Sequence, residues 1–183
     1  METTMSTRAC YRFIDPETAE VVTVYKHSDG YPEGAVCWIT KALDFAWPLP
    51  RFEADEFAAA FIAANKSSAR TKRWEYLERA DRESDPERKT ALLKVVEEWG
   101  PGGRYAGMTG GDLRVVNKPE LDAFKSYATD IEFLYDVTRE ANELHVTAYR
   151  TREDDGKWTV KRLFSGPLAQ MQARFGLKYL DAA

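Results

Sequence analysis

Near its start the chain carries two short apolar runs, each broken by a single polar position. ACYRFI (residues 9–14) and EVVTVYK (residues 20–26) are rich in aromatic and β-branched side chains, the composition of strands on a half-buried pleated surface. DPETA lies between them, and its Asp and Pro are turn-forming residues. The pair reads as a β-hairpin. SDGYPEG then stops the second strand, because Asp29-Gly30 is a turn dipeptide and Pro32 cannot donate to a ladder.

From Glu33 the period changes. Val36, Ile39, Leu43 and Trp47 recur at helical spacing, and Pro48 and Pro50 end the helix they predict. A second helix is read in FEADEFAAAFIAANK, with Phe57, Phe61 and Ile62 as its apolar stripe and Glu53, Asp55 and Glu56 at its start, where the helix dipole favours acids. Two more helices follow. One runs near TKRWEYLERA. The other starts at SDPERK, where Asp85 can cap and Pro86 fits the first helical position. The stripe of this last helix is Leu92, Val95, Val96 and Trp99, and GPGG closes it.

The last third reads as strands again. DLRVVN (112–117) is short. DIEFLYDV (130–137) places Ile131, Phe133, Tyr135 and Val137 on one face, and ELHVTAYR (143–150) does the same with Leu144, Val146 and Ala148. EDDG is a hairpin signal before KWTVKRLF (157–164). PLAQMQARFGLKYL closes the chain as a helix, with Leu168, Met171, Phe175 and Tyr179 at helical spacing. Strands and helices are segregated along the chain. That order predicts an α+β fold: an N-terminal β-hairpin, central helices, a C-terminal antiparallel β-meander and a closing helix. Residues 1–183 are read as one domain, with 66–104 as a charged helical insert. Of those 39 residues, 10 are Lys or Arg and 8 are Asp or Glu, a local charge of +2. The plain reading is a solvated helical pair with ion-paired faces; the alternative is an insert that contacts a partner.

Charge narrows the partners. The whole chain carries −4, with an isoelectric point near 5.4. A non-specific grip on DNA or RNA needs a positive face, so direct nucleic-acid binding is not expected, and a basic protein partner fits better. Five Trp, nine Tyr and nine Phe are generous for 183 residues, so some rings are expected at the surface, where they anchor interfaces. Cys10 and Cys37 sit in apolar runs and read as free thiols rather than a disulfide framework. METTMSTR leads directly into a strand, and no apolar run approaches the roughly 20 residues that span a bilayer. The expectation is a soluble, cytoplasmic protein without a membrane partner.

One stretch concentrates polar chemistry: YKHSDGYPEG, residues 25–34. His27, Asp29 and Glu33 together resemble a fragment of a metal or proton-transfer site. A divalent metal needs three or four convergent ligands, and the only other histidine is His145. The favoured reading is a strand-to-helix joint, with Gly30 in a positive-φ turn position and Glu33 near the helix start. Tyr25, His27, Asp29, Tyr31 and Glu33 are the candidates for partner contact. No catalytic, cofactor or metal residue is assigned. GPGGRYAGMTGG (100–111) lacks the Lys-Ser/Thr of a phosphate loop, and GxSxG, CxxC and HExxH do not occur.

KHSDGYPEGA, followed by LDFAWPLPRFEADEFAAAFIAANK, resembles a group of small bacterial proteins, many carried by phages and prophages, for which no activity is established. The resemblance covers about residues 8–66, with echoes in GGDLRVV and DIEFLYDV. It implies an accessory protein of a mobile element and transfers no functional residue. Joined to the charge and the aromatic surplus, it predicts a non-enzymatic acidic binding protein, an inhibitor of a host defence complex such as a CRISPR effector. The partner would be a host protein, a basic nucleic-acid-binding complex; a homodimer is compatible with this. The alternatives are a small enzyme without a linear signature and a structural or regulatory homo-oligomer.

Overall fold

A computed structural model describes residues 7–27, 29–66, 69–103, 113–116, 131–154 and 157–176. The chain divides into two compact units, Met1–Asn65 with Leu113–Ala183, and Lys66–Asp112. The larger unit is an α+β fold. Its strands are β1 (Arg8–Ile14), β2 (Val21–Lys26), β3 (Arg114–Val116), β4 (Ile131–Glu140), β5 (Glu143–Asp154) and β6 (Lys157–Pro167). They form one sheet in the order β3-β2-β1-β4-β5-β6. The helices α1 (Pro32–Ala42), α2 (Ala54–Asn65) and α5 (Leu168–Phe175) belong to the same unit. The smaller unit holds α3 (Ala69–Arg82) and α4 (Pro86–Glu98).

The first hairpin forms as its pattern predicts. Asp15 closes it: its carboxylate accepts from the backbone N–H groups of Glu17 (2.8 Å) and Thr18 (2.9 Å), and Ala19 takes φ 60°. Those two N–H bonds favour the charged carboxylate and hold its pKa below the usual value. β4, β5 and β6 form the expected meander. The hairpin turn of EDDG falls on Asp155 and Gly156, outside the described residues, as do the glycine-rich 104–112 and Tyr179.

Three features depart from the sequence reading. The sheet is mixed, because β1 runs parallel to β4. β3 does not stand beside β4; it pairs with β2 at the far edge. Ile131 does not share a face with Phe133. The β1–β4 register slips between Arg8 and Ala9, so that Arg8 faces Ile131 and Ala9 faces Phe133. One unpaired residue reverses the alternation. Ile131 thereby joins Cys10, Tyr25 and Leu134 in a second cluster, with Val116 and Tyr149 packed against it.

The main core fills the opposite face. Ala9, Tyr11 and Phe13 of β1, Val24 of β2, Phe133, Tyr135 and Val137 of β4, and Leu144, Val146 and Ala148 of β5 all point into it. α2 covers them with Phe57 and Phe61, whose rings lie 5.3 Å from Phe13, and Phe61 reaches Tyr11 at 4.6 Å. Burying each such ring contributes about 1.5–3 kcal/mol. α1 adds Ala35, Val36, Ile39 and Ala42, and α5 adds Leu168 and Met171. Cys10 is buried and Cys37 half-buried, and neither is joined in a disulfide.

In the smaller unit, Asp85 caps α4 as its sequence predicts, accepting from the N–H groups of Glu87 (2.9 Å) and Arg88 (3.0 Å). The predicted stripe of this helix is covered only in part: Val96 is buried, while Leu92, Val95 and Trp99 are half-buried.

Candidate interaction site

The joint between β2 and α1 holds the five residues singled out by their chemistry. Strand alternation separates them. Tyr25 and His27 lie on the face of the second cluster, where Nδ1 of His27 accepts from Nε of Arg8 (3.3 Å) and meets the Tyr25 hydroxyl at 2.9 Å. Arg8 can only donate, so this nitrogen carries the lone pair and the tyrosine donates to it as well. Lys26, one residue away, points to the opposite face, where its ammonium stands 4.3 Å from the Trp38 ring centroid. Asp29 and Tyr31 come together beyond the strand end, the Tyr31 hydroxyl donating to the Asp29 carboxylate at 3.5 Å. Glu33 lies in the first turn of α1.

Two backbone carbonyls at the centre of this joint are held by side chains from elsewhere in the fold. The carbonyl oxygen of Asp29 accepts from Nε1 of Trp38 at 3.1 Å, and that of Gly30 accepts from the Tyr135 hydroxyl at 2.7 Å. The left-handed residue is Asp29, φ 55°, and not Gly30 as the turn dipeptide suggests. Asp tolerates that region through its short polar side chain. Gly30 is needed for space instead: a Cβ there would stand 2.6 Å from the Ala9 Cβ and 2.9 Å from the Ala9 nitrogen. Gly34 is needed likewise, since a Cβ would stand 2.2 Å from the Asp29 oxygen.

His27 and His145 do not converge. His27 follows the end of β2 and His145 lies on β5, with β1 and β4 between them, so three strand spacings alone hold them at least roughly 14 Å apart. His145 is 3.5 Å from Glu140 instead. Among the described residues no group of three or more His, Cys, Asp or Glu is placed to hold a metal ion.

A different segment presents chemistry outward. Helical spacing places Leu43 and Trp47 in the apolar stripe of α1, but that helix ends at Ala42. Its final turn tightens, with Leu43 N–H on the Thr40 oxygen (3.1 Å) and Asp44 N–H on the Lys41 oxygen (3.3 Å), and Pro48 and Pro50 bar a continuation. The connection to α2 is pinned from below by Ala46, Leu49 and Phe52, which pack on the core. Leu43, Phe45 and Trp47 remain in solvent, Phe45 at 60% exposure and Trp47 at 37%.

The connection is also held from its sides. The backbone N–H of Trp47 donates to the Glu56 carboxylate at 3.0 Å. The Arg51 guanidinium lies 3.3 Å from the Trp47 ring centroid and donates to Glu53 at 3.2 Å. Across residues 43–56 there are four acids, Asp44, Glu53, Asp55 and Glu56, against the single base Arg51, a local charge of −3. An ordered aromatic pair framed by acids can desolvate apolar anchors and attract cationic groups. Sequence reasoning missed this site because Leu43 and Trp47 fit a helical period; the signal that marks it is the Pro-x-Pro that must interrupt that helix.

Compared with known protein families, with curated proteins and with solved structures, the chain matches none. Among the described residues, no helix is long and apolar enough to cross a membrane.

Proposed function

We propose that this is a non-enzymatic binding protein that holds a basic protein partner through the connection between α1 and α2. The observation that supports this reading is the exposure of Leu43, Phe45 and Trp47 inside an acidic frame, on a loop already ordered by core packing. Pre-ordering lowers the entropy cost of binding. An aromatic anchor contributes about 2 kcal/mol or more, whereas each exposed acid contributes roughly 0–1 kcal/mol and acts mainly on the association rate. The net charge of −4 favours the same class of partner. The resemblance to phage and prophage proteins makes inhibition of a host defence complex, one that itself grips nucleic acid, the biological form of this reading.

Affinity capture from a bacterial host lysate tests it. The wild-type chain should retain a basic nucleic-acid-binding protein. A Phe45→Ser/Trp47→Ser variant with an unaltered melting curve should lose it. Reversal of Asp44, Glu53 and Asp55 together should slow association and weaken its salt dependence. Equal retention by the aromatic variant would sink the proposal. So would loss of a cellular effect from His27→Ala with partner binding intact, which would point to catalysis.

A further inference from the structure

The α3–α4 hairpin carries apolar side chains that its own packing leaves uncovered. Among the described residues its buried hydrophobic side chains are Ala80 and Val96, while Trp74 is 63% exposed and Leu93 41% exposed. The link 83–85 is three residues long, and α4 folds back along α3. Trp74 is ten residues before Ser84 and Leu93 nine after it, so they stand at nearly the same height. With Ala80 and Val96 as the inward positions and about 100° per residue, Trp74 lies about 120° round α3 and Leu93 about 60° round α4. In an antiparallel pair those rotations bring both to the same side.

Charge shows what fits that side. Lys89 and Glu97 flank Leu93 at four residues on either hand, on its own face of α4. Among the described residues neither side chain takes part in an ion pair within the chain. A cation and an anion equidistant from an apolar centre form a self-complementary pattern, which a two-fold interface requires. The mixed signs of the segment, 10 bases against 8 acids in 66–104, offer no single-sign field to a strongly charged foreign partner.

We propose that this face pairs with the same face of a second copy of the chain. α4 crosses α4 antiparallel about a two-fold axis at Leu93. Lys89 meets Glu97 of the second copy, Glu97 meets its Lys89, and the two Trp74 rings close over the Leu93 pair. The inference does not depend on the reading of the α1–α2 connection.

The full chain should show a dimer mass by light scattering over a concentration series. Leu93→Glu should give a monomer with an unchanged helical spectrum. Lys89→Glu alone and Glu97→Lys alone should each weaken the dimer by about tenfold or more, since every substitution acts twice across the axis. The double variant Lys89→Glu/Glu97→Lys should restore it. A wild-type chain monomeric at the highest concentration would overturn the proposal, and so would a double variant no tighter than the singles. If Leu93→Glu unfolds the chain, the charge exchange at Lys89 and Glu97 still decides. A monomer that captures a foreign protein through Trp74 would also overturn self-pairing.

Discussion

The Tyr135 hydroxyl donates to the Gly30 carbonyl oxygen at 2.7 Å, joining positions 105 residues apart. Burial pushes the Tyr135 phenol well above its ordinary pKa, and the nearby ionisable Tyr11 and Glu33 act in the same direction. It therefore stays a neutral donor. Tyr11 stacks on it at 5.0 Å, yet the buried Tyr11 hydroxyl has no hydrogen-bond partner among the described residues. Tyr135→Phe should cost about 1–3 kcal/mol, because it leaves a buried carbonyl unsatisfied. Tyr11→Phe should be neutral or stabilising, because it removes a buried hydroxyl that bonds nothing. Urea denaturation of the two variants measures the contrast; equal losses would show that Tyr135 matters only as a ring.

Gly30 and Ala9 set the tightest approach at the joint. Gly30→Ala should destabilise by about 1–3 kcal/mol through overpacking against β1. Asp29→Gly should cost little, because glycine adopts positive φ freely. Should thermal melts show Asp29→Gly as the more damaging change, backbone conformation rather than space would govern the joint.

Arg12 and Asp136 bridge the parallel pair β1–β4 with two bonds, at 2.6 and 2.7 Å. Their side chains are 18% and 16% exposed. A coupling energy of about 1–2 kcal/mol is expected from a double-mutant cycle, between the values for exposed and buried pairs. Coupling near zero would mean that apolar packing alone holds the two strand groups together.

Asp15 gives the fold an acid limb. Its folded pKa lies below the unfolded value of about 3.9. The stability it contributes is therefore complete above the unfolded pKa and is lost as pH falls through the folded pKa. Asp15→Asn should flatten the stability profile in the acid range and lower stability at neutral pH. An unchanged acid slope in chemical denaturation would contradict this.

The sequence alone determined much of the local structure. Aromatic and β-branched content marked ACYRFI as a strand, and alternation in ELHVTAYR marked both a strand and its buried face, since residues two apart on a pleat share a face whatever the strand pairs with. Asp85-Pro86 marked the start of α4 because a cap bonds only residues two and three positions away. The tertiary structure decided what depends on distant partners. Whether β1 would meet β4 in parallel, with Arg12 against Asp136, rests on contacts 124 residues apart that no local period records. Ile131 changed faces because of a slip in that same pairing. Leu43 and Trp47 obeyed a helical period and still lie outside the helix, because Pro48 and Pro50 forbid its continuation while Ala46, Leu49 and Phe52 bind the connection to the core. Periodicity reports which side chains could share a face; only the packed neighbours determine which faces are covered.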